Sequence, residues 1–138
     1  MSQAVLPIMR EQGYGHIANI SSAVGFLPAP YQGIYAASKR ALEGYSESLD
    51  HEVRQFGIRA SVIEPGFTRT NIGQNGQLAG RPLVAYASKR NRVLEAIREG
   101  IAHGDDPVTV AAVVLEALTS PSPRLRYPAA RGPNFSAA

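Results

Sequence analysis

The chain has no cysteine and no tryptophan, and only 7 % of its 138 residues are aromatic. Without cysteine there is neither a disulfide framework nor a thiolate metal site. Histidine is scarce as well: His16, His51 and His103 lie too far apart in sequence to suggest a metal cluster. No apolar run approaches the roughly 20 residues that span a bilayer, so no membrane partner is expected. The first residues, Met1-Ser2-Gln3-Ala4-Val5-Leu6-Pro7, lack the charged start and apolar core of a secretory signal, which makes a soluble cytoplasmic protein the expectation. The net charge is only +3, and the lysines and arginines are scattered. Arg124 and Arg126 flank Leu125 in an expected strand and form no patch, so no nucleic-acid partner is expected. What the chain does have is apolar material: 44 % of its residues are hydrophobic, enough for one buried core in one domain.

The apolar residues are ordered in recognisable periods. Ala4, Val5, Ile8 and Met9 fall at helical spacing over 3–12, with Gly13 where a C-terminal cap belongs. Pro7 marks a kink, and without an N-cap the segment reads as a helix cut rather than started. Residues 15–22, Gly-His-Ile-Ala-Asn-Ile-Ser-Ser, read as a buried strand ending in small polar residues. A loop with Pro28 and Pro30 leads to the clearest helix, 34–56, with an apolar stripe of Ile34, Ala41, Leu42, Tyr45, Leu49 and Val53 and a stop at Gly57. Ile58 to Ile63 forms a second strand closed by Pro65-Gly66. Strand, long helix, strand is a βαβ unit, which implies a parallel sheet covered by helices.

Beyond that unit, 71–82 is polar and loop-like, and 83–100 is an amphipathic helix carrying Leu83, Tyr86, Ala87, Val93, Leu94 and Ile97. Asp106-Pro107 is a helix start, an N-cap followed by proline at the first helical position; that helix carries Val110, Val114, Leu115 and Leu118 and stops at Pro121 and Pro123. Leu125-Arg126-Tyr127 reads as a short third strand, and 128–138 as an irregular tail.

In open α/β sheets ligands sit beyond the carboxyl ends of the strands. Ser21-Ser22 and Pro65-Gly66 are two such ends, and the start of the long helix, Tyr35-Ala36-Ala37-Ser38-Lys39, faces the same edge. Tyr35 and Lys39 are four apart and share one helix face. An ammonium beside a phenol favours the phenolate, so such a tyrosine can exchange a proton with a carbonyl or alcohol oxygen. A serine at the neighbouring strand end can hold the same oxygen. Tyr86-Ala-Ser-Lys89 nearly repeats the pattern, but its lysine is three residues on and Gly73 takes the serine's place. Asn19-Ile-Ser and Asn134-Phe-Ser match the glycosylation pattern by chance, and Asn19 is expected inside a strand.

Ser22, thirteen residues before Tyr35, the Tyr-Ala-Ala-Ser-Lys run, and Pro65-Gly66 with Thr70 after the next strand form an ordered set. That set resembles the classical short-chain dehydrogenases/reductases, and the resemblance covers roughly residues 1–127. It implies an α/β fold, the C-terminal half of a Rossmann-like doubly wound parallel sheet: the βαβ unit, a helical substrate lobe over 71–106 and a last short strand. It also implies an NAD(P)-dependent oxidoreductase acting on a carbonyl or secondary alcohol. Tyr35 would be the general acid and base. Lys39 would assist it and hydrogen-bond the nicotinamide ribose. Ser22 would orient and polarise the carbonyl. Pro65, Gly66 and Thr70 would line the nicotinamide end of NAD or NADP. Glu64, from its position at the end of the second strand, is expected to have a structural or supporting role.

The sequence departs from the family pattern at its start. No strand leads into a Gly-rich turn at a helix N-terminus for the pyrophosphate; Gly13-Tyr14-Gly15 precedes a strand instead of following one. The family's Asn-Asn-Ala-Gly segment and relay asparagine are also missing. A truncated, mis-started or split protein, inactive alone, is therefore expected. The long helix resembles one that pairs subunits in this family, and Ala37, Ala41, Gly44 and Ser48 would permit close approach in a homo-oligomer or on a full-length relative.

Overall fold

Ile58–Pro65 forms the central strand, β2, and nearly every residue in it is buried. A near-continuous buried run is what a parallel strand covered on both faces requires. It is flanked in parallel by β1 (Gly15–Ile20) and β3 (Arg126–Ala129), in the order β1-β2-β3. Gly15 pairs with Ile58 and Ile20 with Ile63, while Val62 pairs with Arg126 and Pro65 with Ala129. The computed structural model describes residues 2–76 and 80–130, and among these no helix is long and apolar enough to cross a membrane.

Two small cores lie on opposite faces of the sheet. On one, Leu49, Val53, Ile58 and Ala60 pack with Leu6, Met9 and Ile17, supplied by α1 (Ser2–Gln12) and α2 (Gly33–Val53). On the other, Ile63, Ala117, Tyr127 and Ala129 pack with Ala18, Val110, Val113 and Val114, mostly from α5 (Pro107–Thr119). Fully burying one such Ile or Val side chain contributes about 1.5–3 kcal/mol.

The helix ends follow their chemistry. Both helices on the first face finish at glycines in the left-handed region, Gly13 at φ 74° and Gly57 at φ 72°, a conformation that costs glycine least. A Cβ on Gly57 would also run into the Gly13 carbonyl oxygen. The Asp106 carboxylate accepts from the Val108 N–H at 2.9 Å, and Pro107 opens α5.

The expected stripe of α2 is corrected by the structure. Its buried residues are Ala36, Glu43, Ser46, Leu49, Asp50 and Val53, while Ala41 and Tyr45 face outward and Ile34 is 89 % exposed. The polar residues can be buried because the strands pair with them: Asn19 donates to Ser46 at 2.9 Å, Ser21 to Glu43 at 2.8 Å, and the Ala60 N–H to Asp50 at 2.8 Å. The helix proper ends at Val53 and tightens into a 3-10 turn, Arg54–Phe56, before Gly57.

Other boundaries move by a few residues. β1 stops at Ile20, not Ser22, because Ser22 caps a 3-10 turn at Ala23–Gly25. The polar stretch after β2 contains a one-turn helix, α3 (Ile72–Asn75), and a 3-10 turn (Val84–Tyr86) precedes the lobe helix α4 (Ala87–Ala102). Leu83 and Tyr86 are exposed, while Val93, Leu94 and Ile97 are half-buried. In α5 the buried residue is Ala117, and Leu115 and Leu118 are exposed. β3 continues to Ala129, into the span expected to be irregular. Residues 131–138, with Asn134, lie outside the described residues, as do 77–79 of the lobe.

Candidate active site

Parallel pairing puts the carboxyl ends of β1 and β2 on one edge of the sheet: the Ser21 N–H continues the ladder by donating to the Ile63 carbonyl at 2.8 Å. The chain then loops through Ala23–Gly25, which packs on α2, and re-enters as that helix. Tyr35 stands in its first turn and is 37 % exposed. Lys39 lies one turn further on, with Nζ 5.7 Å from the centre of the Tyr35 ring. The ammonium donates to the Ile20 carbonyl at 3.0 Å, so the last residue of β1 fixes where the lysine head sits. Tyr35, Lys39 and the end of β1 are therefore brought together.

Ser22 is half-buried directly after β1 and accepts a long 3.5 Å hydrogen bond from the Val24 N–H. Pro65 closes β2, and the Gly66 N–H donates to the Ala129 carbonyl at 3.3 Å. Thr70 is exposed and bonds locally, accepting from the Ile72 N–H at 3.4 Å. It lines an open groove of about 540 Å³ with Arg69, Asn71, Gln74, Arg98 and Ile101, between the segment after β2 and α4. No hydrogen bond or ring contact among the described residues joins Thr70 to Tyr35 or Lys39.

The segment after β2 is anchored to the start of α5. The Arg69 N–H donates to the Asp105 carbonyl and the Asp105 N–H to the Phe67 carbonyl, both at 2.9 Å, and Arg69 pairs with Asp106 at 2.9 Å. Tyr86, in the near-copy of the motif, is exposed on the lobe.

Beneath the strand ends lies a group of charges that the sequence reading missed. Glu64 was expected there in a supporting role, and Glu43 is buried there too. Arg126 Nη1 donates to Glu43 at 2.5 Å and to Glu64 at 3.0 Å. Burial pushes the Glu64 carboxyl above its ordinary value; the hydrogen bond from Arg126 opposes this and the neighbouring Glu43 charge adds to it. Glu43 and Arg126 stand 83 residues apart, and the one local signal was a glutamate on the face that turned out to be buried. Among the described residues no group of His, Asp or Glu is arranged to hold a metal.

The family model for short chain dehydrogenase matches residues 1–79. An uncharacterised oxidoreductase of Schizosaccharomyces pombe is 35 % identical over 91 % of this chain, and a 3-ketodihydrosphingosine reductase of Bacteroides thetaiotaomicron is 38 % identical over 91 %. The chain spans about half the length of these relatives, 53 % and 48 % respectively. A solved short-chain dehydrogenase from Streptomyces avermitilis superposes with a TM-score of 0.75 at 37 % identity, over 92 % of this chain and 46 % of that one. By the family match over more than half its length, the chain belongs to the short-chain dehydrogenases.

Proposed function

We propose that this chain carries the catalytic half of an NAD(P)-dependent oxidoreductase that interconverts a carbonyl compound and its secondary alcohol. The observation that carries the reading is the placement of the Lys39 ammonium, held by the end of β1 and lying over the face of Tyr35. A bound nicotinamide would supply the hydride in reduction and accept it in oxidation. The Tyr35 hydroxyl would give its proton to the substrate oxygen in reduction and take the alcohol proton in the reverse direction. Ser22 orients that oxygen, and the Lys39 ammonium stands beside the Tyr35 ring.

The donor set fits the nicotinamide-ribose end of the cofactor. An ammonium has three donors, and one is on the Ile20 carbonyl, which leaves two for a ribose diol. Pro65, Gly66 and Thr70 would line the same end, and residues 71–106 would form the lobe over a small-molecule substrate. The family membership supports NAD or NADP as the cofactor. In an assay with a panel of carbonyl compounds and NADH or NADPH, Tyr35→Phe should abolish any turnover of the native protein while cofactor binding survives. Near-normal rates in that variant would remove Tyr35 from the reaction.

One observation favours a second reading, an interaction partner without turnover. Ile34, Ala37, Ala41, Gly44, Tyr45 and Ser48 form an outward face of α2 made of small and apolar residues. A face like this suits a second copy of the chain or a full-length relative. Co-elution with such a relative on size exclusion supports it, and separate elution counts against it.

A further inference from the structure

Each of the three segments that carry the site sends one polar side chain downward to a single point. Ser21, next to Ser22, donates to Glu43 Oε1 at 2.8 Å and lies 3.5 Å from the Lys39 carbonyl. Glu43 is one turn beyond Lys39 and 1 % exposed; Glu64 immediately precedes Pro65 and is 6 % exposed. Both carboxylates take a hydrogen bond from the same nitrogen of Arg126, which β3 supplies. The other terminal nitrogen reaches Glu47, at the surface of α2, at 3.4 Å. Gly25 makes room: a Cβ there would collide with the Glu43 carboxylate and stand 3.0 Å from Ser21 Oγ.

We infer that Arg126 is a positioning residue for the site, its guanidinium setting the spacing between the end of β1 with Ser22, the turn of α2 with Lys39 and the end of β2 with Pro65-Gly66. The inference rests on the proposed roles of Ser22, Tyr35 and Lys39. The chemistry of the cluster argues for positioning over simple stabilisation. A buried ion group gains little over apolar residues of the same volume, because desolvation offsets the attraction. Here two buried carboxylates share one guanidinium, so the group also holds more negative than positive charge. What it provides is directional bonding: four elements meet at one geometry that apolar packing would leave free to slide.

Removing the guanidinium leaves Glu43 and Glu64 facing each other uncompensated. The strand end and the helix then separate, or one carboxyl takes up a proton. Proton uptake by Glu64 in the native chain acts on the same joint. The charged groups that act on Glu64 are Arg126 from β3 and Glu43 from α2; Arg126 in turn reaches Glu47, and Glu43 accepts from Ser21, just after β1.

The test is an amide nitrogen–proton NMR map of the full 138-residue chain, native and with Arg126→Gln or Arg126→Lys, together with NADH and NADPH fluorescence titrations. Arg126→Gln is expected to shift the amides of Ser22, Lys39 and Gly66, to leave those of Gly15 and Asp50 in place, and to weaken binding of whichever of NADH and NADPH the native chain takes up at least fivefold. Arg126→Lys should recover part of both effects. A folded Arg126→Gln chain with Ser22, Lys39 and Gly66 unmoved overturns the inference. Should Arg126→Gln fail to fold, the native chain and Glu64→Gln decide the matter. The amides of Ser22 and Gly66 should titrate together with a midpoint above 4.5, the ordinary glutamate value, and lose that step in Glu64→Gln; the absence of a shared step overturns the inference equally. If native protein binds neither NADH nor NADPH, the cofactor reading fails, while the amide map still judges the positioning.

Discussion

Asp50 offers the sharpest energetic test of how α2 is fastened to the sheet. Its side chain is fully buried, yet it is charged. Oδ1 accepts from Arg59 Nε at 2.9 Å and from the Ala60 N–H at 2.8 Å. Oδ2 accepts from Arg54 at 2.9 and 2.5 Å and from Arg59 at 3.2 Å. Burial alone would raise the carboxyl pKa, but these hydrogen bonds outweigh it and hold the group down at about 2 from an ordinary 3.8. That difference, at about 1.4 kcal/mol per unit, is worth roughly 2.5 kcal/mol of stability at neutral pH.

The sign follows from the depressed value. The unfolded chain binds this proton more readily, so the contribution is complete above pH 4 and is lost as pH falls through about 2. Asp50→Asn keeps the shape and removes the charge. Urea unfolding followed by far-UV circular dichroism should place the variant about 2–3 kcal/mol below the native chain at pH 7, with the gap narrowing from pH 4 downward. A gap under about 0.5 kcal/mol at pH 7, or one that does not change towards pH 3, refutes the reasoning.

Further perturbations probe other joints. Gly57→Ala puts a Cβ on a left-handed residue and against the Gly13 carbonyl; it should cost at least about 1–2 kcal/mol in the same unfolding assay. Ile34→Glu, at an 89 % exposed position, should leave stability within about 0.5 kcal/mol while abolishing any self-association seen by size exclusion. His16 is held below its ordinary value mainly by burial, with the Arg59 charge adding and Asp50 opposing. Its neutral form therefore stabilises the fold above pH 6.5, and this is lost as pH falls through the lowered value. Ser61 already donates to the Arg124 carbonyl at 2.6 Å, so His16 Nε2 is the donor in its 2.9 Å bond to Ser61; His16→Gln should flatten the stability profile between pH 7 and 5.

What could be read from the sequence was what depends on near neighbours. Gly13 and Gly57 were visible as helix stops because a left-handed residue there favours glycine, and Asp106-Pro107 as a helix start because the cap and the fixed φ lie side by side. Tyr35 and Lys39 were visible because one helical turn separates them. The buried face of α2 was misread for the opposite reason. Glu43, Ser46 and Asp50 look like a solvated stripe until Ser21, Arg126, Asn19 and Ala60 arrive from the strands to pair with them. Ile34 and Tyr45 look like core until those pairings rotate the helix the other way. Arg126 had no local signal at all, since its partners lie 62 and 83 residues earlier.

The most direct measurement is a titration of the purified 138-residue chain, shown to be folded by circular dichroism, with NADH and NADPH, followed by nicotinamide fluorescence. The expected result is saturable binding of at least one of them, weakened at least tenfold by Lys39→Met and left in place by Tyr35→Phe. No saturable binding of either, from a folded chain, would contradict the central claim, and the dehydrogenase machinery would then describe only the parentage of the chain.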